Sequence, residues 1–113
     1  MENSILTSTK KILGLSEEYT PFDHDVIIHI NACLSVLSQI GIGPEHGVMI
    51  EDETAQWGDL GLDTNRLNLV RTYVFLRTKM LFDPPTTSFL IEAMERQIAQ
   101  LEWRLNVLNE TET

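Results

Sequence analysis

The chain has 113 residues, with 17 acidic side chains against 8 basic ones and a formal net charge of -9. This length holds one domain, 1–113, and leaves no room for a second. The acidic balance has the wrong sign for binding to phosphate backbones or to anionic lipid, which argues against a nucleic-acid binder and a membrane-surface protein.

Hydrophobic residues make up 42% and charged residues 22%, ordinary globular usage with enough apolar material for one modest core. No run of eighteen apolar residues occurs, and Met1-Glu2-Asn3 does not resemble a secretion signal, so a soluble protein made in a cytoplasm is expected. The single cysteine, Cys33, has no partner for an internal disulfide.

In chain order, residues 4–15 place Ile5, Leu6, Ile12 and Leu13 on roughly one helical face before Gly14, which predicts a short first helix. Thr20-Pro21-Phe22-Asp23 supplies an N-cap hydroxyl, a proline at the first helical position and an early acid, so a second helix is expected to begin there. Val26, Ile30, Cys33, Leu34, Leu37 and Ile40 recur at threes and fours along it until Gly41-Ile42-Gly43-Pro44 stops it.

Residues 41–63 change character, with five glycines, one proline and six acids, and only Val48-Met49-Ile50 is β-prone. This reads as a long acidic loop or a small β-hairpin, of a length that tends to be functional or mobile. A third helix is predicted over Thr64–Phe82, capped by Asp63 or Thr64 and ended by Asp83-Pro84-Pro85. A fourth starts near Thr87 or Ser88 and reaches about Asn109, roughly 34 Å, so one end of it projects. Its stripe is Ile91, Met94, Ile98, Leu101, Leu105 and Leu108, and the tail from Glu110 to Thr113 is polar. The fold class is therefore all-α, a small four-helix bundle with a long C-terminal helix.

Evidence for chemistry is thin. Asp25, His29 and Cys33 share one helical face at four-residue spacing, but parallel side chains on one helix do not converge on a reacting atom. Cys33 also lies in the apolar stripe, where it acts as a small hydrophobe. His46 reads as a solvated residue. Glu51-Asp52-Glu53, Asp59 and Asp63 lack the spacing and glycine of a calcium loop. No phosphate loop, dinucleotide fingerprint or nucleophile elbow is present. Neither catalysis nor a cofactor or metal is expected.

The third helix carries the anomaly. On a helical projection its apolar residues cover about half the circumference, with Arg66 and Arg77 near the middle of that arc. Arg66 is in the first turn and can reach outward; Arg77 needs a partner, either inside the fold or across a subunit interface. Phe75 falls on the polar side and marks a contact patch, and Trp103 falls off the fourth helix's stripe, facing either a partner or the first helix. Glu92 and Arg96 make a favourable i, i+4 pair.

The order of segments is recognisable: Tyr19-Thr20-Pro21-Phe22-Asp23, Gly41-Ile42-Gly43-Pro44-Glu45, Val70-Arg71-Thr72-Tyr73-Val74-Phe75-Leu76-Arg77, Leu81-Phe82-Asp83-Pro84-Pro85-Thr86-Thr87-Ser88 and Leu101-Glu102-Trp103-Arg104-Leu105-Asn106. Over nearly its whole length the chain resembles the head-tail connector, or adaptor, proteins of tailed bacteriophages of siphovirus type. The resemblance implies a small helical subunit in a ring of about twelve copies beneath the portal protein, through which DNA passes without specific binding. Implied partners are further copies, the portal, and head-completion, stopper or tail proteins, with no membrane. The implied location is the virion neck, and the host cytoplasm during assembly. For the subunit interface the candidates are Phe75, Arg77, Trp103, Arg104 and Leu108; for acids facing the channel they are Glu51, Asp52 and Glu53. Segments 41–63 and 109–113 are expected to order on docking. The alternatives are a small acidic DNA mimic that inhibits a host protein, or another tail-assembly or head-completion protein.

Overall fold

The computed structural model describes residues 3–44 and 47–111. Four helices follow in order: α1 (Ile5–Ile12), α2 (Asp23–Ile40), α3 (Thr64–Phe82) and α4 (Ser88–Thr111), with one 3-10 turn at Trp57–Leu60. No strand occurs among the described residues, only an isolated antiparallel bridge between Ser4 and Gln56. The architecture is all-helical, as the periodicity predicts.

α3 is the central element. It packs along both α2 and α4, which also meet each other, and α1 packs on α2 and α3. Val70, Tyr73, Val74 and Thr78, at helical spacing, are buried there. From α2 come Val26, Ile30, Cys33, Leu34 and Leu37; from α4, Leu101 and Leu105. Phe22, just before α2, meets Phe82 at the end of α3 with ring centroids 5.4 Å apart. At the opposite end Asn109 of α4 bonds the carbonyl of Ile40. Both α2 and α4 therefore run antiparallel to α3 and parallel to each other.

Three local expectations are corrected. α2 begins at Asp23, later than the Thr20-Pro21 signal predicts, and its N-cap, Phe22, makes no side-chain cap. The Thr20 carbonyl instead accepts from the Asp23 N–H in a preceding turn, which lets Phe22 reach Phe82 and Asp23 reach Lys10. In α1, Ile12 is 54% exposed while Thr7, Ser8, Thr9 and Lys10 are buried. This helix is enclosed by α2, α3 and residues 55–57, so burial follows the enclosure rather than the apolar stripe. The hydroxyls of Ser8 and Thr9 satisfy themselves on the Ser4 and Ile5 carbonyls.

The third correction is the loop. Val48-Met49-Ile50 forms no hairpin, and the loop is anchored rather than free. The Asn31 side chain donates to the Ile50 carbonyl at 3.0 Å and accepts from the Ile50 N–H at 2.8 Å, doing for one residue what a neighbouring strand would do. Ile5 N–H donates to the Ala55 carbonyl, Trp57 N–H to the Asn3 carbonyl, and the Trp57 indole N–H to the Ser8 hydroxyl. Ile50, Trp57 and Leu60 are core residues. His46, read from sequence as solvated, lies outside the described residues, as does the end of the tail, 112–113.

Candidate functional site

Arg77 finds its partners within the fold. Its guanidinium donates to the Tyr73 hydroxyl at 2.7 Å and stands 3.9 Å from the Glu102 carboxylate. The Tyr73 hydroxyl in turn is 3.4 Å from Glu102 Oε2, so one tyrosine, one cation and one acid tie α3 to α4. Burial pushes the Tyr73 phenol up to about 12, against the opposing pull of Arg77. Arg66 resolves similarly: it pairs with the N-cap Asp63 and donates to the Leu108 carbonyl at 2.9 Å, near the end of α4.

Phe75 is also engaged inside the subunit. Its ring meets Trp57 edge-on at 5.7 Å, and the Arg71 guanidinium lies over both rings. The polar side of α3 is where the 55–60 segment packs, a long-range placement that the helix's own periodicity does not encode. Leu108 is half-buried.

Trp103 and Arg104 stand in solvent. Trp103 is 65% exposed and away from α1, which packs on α2 and α3 instead. It belongs to a row at threes and fours, Phe89, Glu92, Arg96, Ala99, Trp103 and Val107, all exposed. Phe89 is 72% exposed. Thus α4 has two faces: Leu101 and Leu105 pack on the subunit, and the opposite one carries large apolar groups with nothing over them. At its start Ser88, Phe89 and Leu90 are all exposed, which matches a helix that projects at one end.

The acids lie elsewhere. Glu51, Asp52 and Glu53 are exposed, and Asp52 is held by the Thr54 N–H and hydroxyl, which keep its carboxyl below the usual range. Glu53 lines a cleft with Glu17, Thr20, Asp23 and Lys10. Lys10 is 2% exposed; its ammonium sits 2.8 Å from Asp23 and donates to the Glu17 carbonyl. Nothing in the sequence distinguishes Lys10 from its neighbour Lys11, and this buried pair is invisible there.

The Asp25, His29 and Cys33 row does not converge. Cys33 is fully buried, 3.9 Å from the Thr78 hydroxyl, and burial pushes its thiol up, while Asp25 is exposed. Among the described residues no group of three histidine, cysteine or acidic side chains comes together in a way that suits a metal ion. A feature absent from the sequence reading is a groove of about 700 Å³ on α2, lined by Ile28, Ala32, Ser35 and Gln39 and walled by Val48 and Met49. Its signal was present as apolar and small residues, Ile28, Ala32 and Ser35, at i, i+4 and i+7.

The described residues thus form an all-helical fold with an uncovered apolar face on α4. The family model described as "Phage connector protein" matches residues 5–112. The chain belongs to this phage connector family. Neither a curated protein nor a solved structure matches it. The connector is thus a structural protein of the phage head-tail junction, and its family is structural rather than enzymatic. Among the described residues no helix is long and apolar enough to cross a membrane.

Proposed function

We propose that copies of this connector close into a ring of about twelve subunits beneath the portal protein, joining the capsid to head-completion or tail proteins of the virion neck. The observation that carries this reading is the outer face of α4, where Trp103 and Phe89 stand uncovered with Arg104 beside them. Uncovered aromatic side chains flanked by arginine suit the buried centre of a protein interface. Trp103, Arg104 and the adjoining Leu108 are its contact residues, while Arg77 and Phe75 act from within, by holding α3 against α4 and against Trp57. Subunits made in the host cytoplasm would assemble on the portal and remain in the particle.

The acids supply the second half of the proposal. Glu51, Asp52 and Glu53, repeated around a ring and turned inward, would give a negative wall that repels the DNA backbone and prevents adhesion during packaging or ejection. Quantitative mass spectrometry of purified virions tests the ring: a copy number equal to or close to the portal's is expected, and absence from the particle overturns it. Replacing the three acids by glutamine and asparagine tests the channel, with DNA retention or slowed ejection expected. Unchanged ejection would remove the acids from that role.

A further inference from the structure

We infer that the outer face of α4 docks into the α2 groove of the next copy, in parallel, with Trp103 seated over Ala32 and Ser35 and Arg96 on Asp25. The inference rests on the ring reading above and names the two surfaces that would form its repeated contact.

Placement comes first. The two surfaces belong to helices that meet α3 along different rows, α2 at Thr78 and Phe82 and α4 at Tyr73 and Arg77. Non-identical patches make a head-to-tail contact, which gives a ring where its rotation closes and does not stop at a two-fold dimer. Because α2 and α4 run in parallel within a subunit, a rotation about an axis along the helices brings α4 of one copy beside α2 of the next in the same direction.

Shape and chemistry agree with that alignment. The groove is lined by the small side chains Ala32 and Ser35 and by the apolar Ile28 and Met49, the latter 78% exposed. An indole is the kind of group such a groove accepts. Setting Trp103 at Ala32 in parallel register places Arg96, seven residues earlier, at Asp25, also seven residues earlier. Both are exposed, and among the described residues neither has an ion-pair partner in its own chain, so the Glu92–Arg96 pair that the spacing predicts is not formed. Continued by the same offset, Phe89 falls level with residue 18, just before the exposed aromatic pair Tyr19 and Phe22, whose rings lie 5.8 Å apart. One register therefore satisfies an aromatic and a cation together.

The test joins cross-linking to charge exchange, in purified virions and with the isolated protein. Cys33 is buried, so engineered surface thiols are the ones that react. With a short bismaleimide, the double variant S35C/W103C should give a ladder of covalent multimers and each single variant none. R96D and D25R should each reduce assembly at least tenfold, and R96D/D25R should restore it, with thermal melting confirming that every variant is folded. Rings of normal size that give no ladder and ignore R96D would overturn the inference while leaving the ring intact. Cross-linked dimers from W103C alone would mean that two α4 faces meet each other, overturning the inference. Failure of the natural chain to form any oligomer, in the particle or outside it, would overturn the ring reading and this inference with it.

Discussion

Asn109 Nδ2 donates to the Ile40 carbonyl at 2.9 Å, so the last turns of α4 close the exposed end of α2. The bond is possible because Gly41 follows with a φ of +98° and no side chain; a Cβ there would stand 2.7 Å from the Asn109 amide. The contact also sets α2 and α4 parallel, the property on which the proposed ring geometry depends.

Gly41→Ala should therefore destabilise the fold by about 1–3 kcal/mol, through left-handed strain and displacement of Asn109. Asn109→Ala should cost about 1 kcal/mol, the loss of one hydrogen bond. Urea unfolding measures both. A Gly41→Ala midpoint equal to that of the natural chain would show that the two helix ends are not held as described.

Asn31 fixes Ile50 through both of its backbone groups. Asn31→Leu keeps much of the volume but leaves those groups without their partner, and a loss of about 1–3 kcal/mol is expected. Amide exchange at Ile50 should accelerate more than exchange in the middle of α3. Equal exchange in variant and natural chain would mean that Ile50 is held by packing alone.

Lys10 and Asp23 form a pair in which the lysine is almost wholly buried and is the carboxylate's only partner among the described residues. Lys10→Ala should cost about 3 kcal/mol, the low end for breaking a buried pair, because Asp23 retains some solvent contact. Lys10→Met, which keeps the stem, should lose less. If both variants melt like the natural chain, the pair contributes nothing to docking α1.

Tyr73 predicts a pH dependence. Its phenol is raised to about 12 in the folded chain, against about 10 for an unfolded tyrosine. A raised value means that folding favours the neutral phenol, so this stabilisation is complete below pH 10 and is lost as pH rises through 12. Stability should fall across that window, and Tyr73→Phe should flatten the fall while weakening the hold on Arg77. Ultraviolet titration of tyrosinate checks the assignment: a Tyr73 signal complete by pH 10 would contradict it.

Much of the fold could be read from the chain alone. Regular apolar spacing, Asp63 as a cap, Gly41 as a stop and the Asp83-Pro84-Pro85 break are local signals, and they place α3 as observed and α4 nearly so. Trp103 is legible as an outlier because its position off the stripe is a property of one helix. Phe75 looked equally anomalous, yet it is covered by Trp57, eighteen positions away in sequence and on a separate turn. Two similar outliers thus have different meanings, and periodicity cannot separate them.

The sequence by itself determined the helix count, the central apolar stripes, the acidic character and, through the order of its segments, the resemblance to phage connectors. Those are properties of composition and of neighbours within a few residues. Only the tertiary structure decided that Arg77 is paired with Glu102, that Lys10 is buried on Asp23, that Asn31 anchors Ile50 and Trp57 is tied to Ser8, and that a groove lies on α2 while a face of α4 stays bare. Each of these depends on two stretches far apart in the chain meeting in space. Local preference favours no such meeting over its rivals; the packing of the whole core selects it.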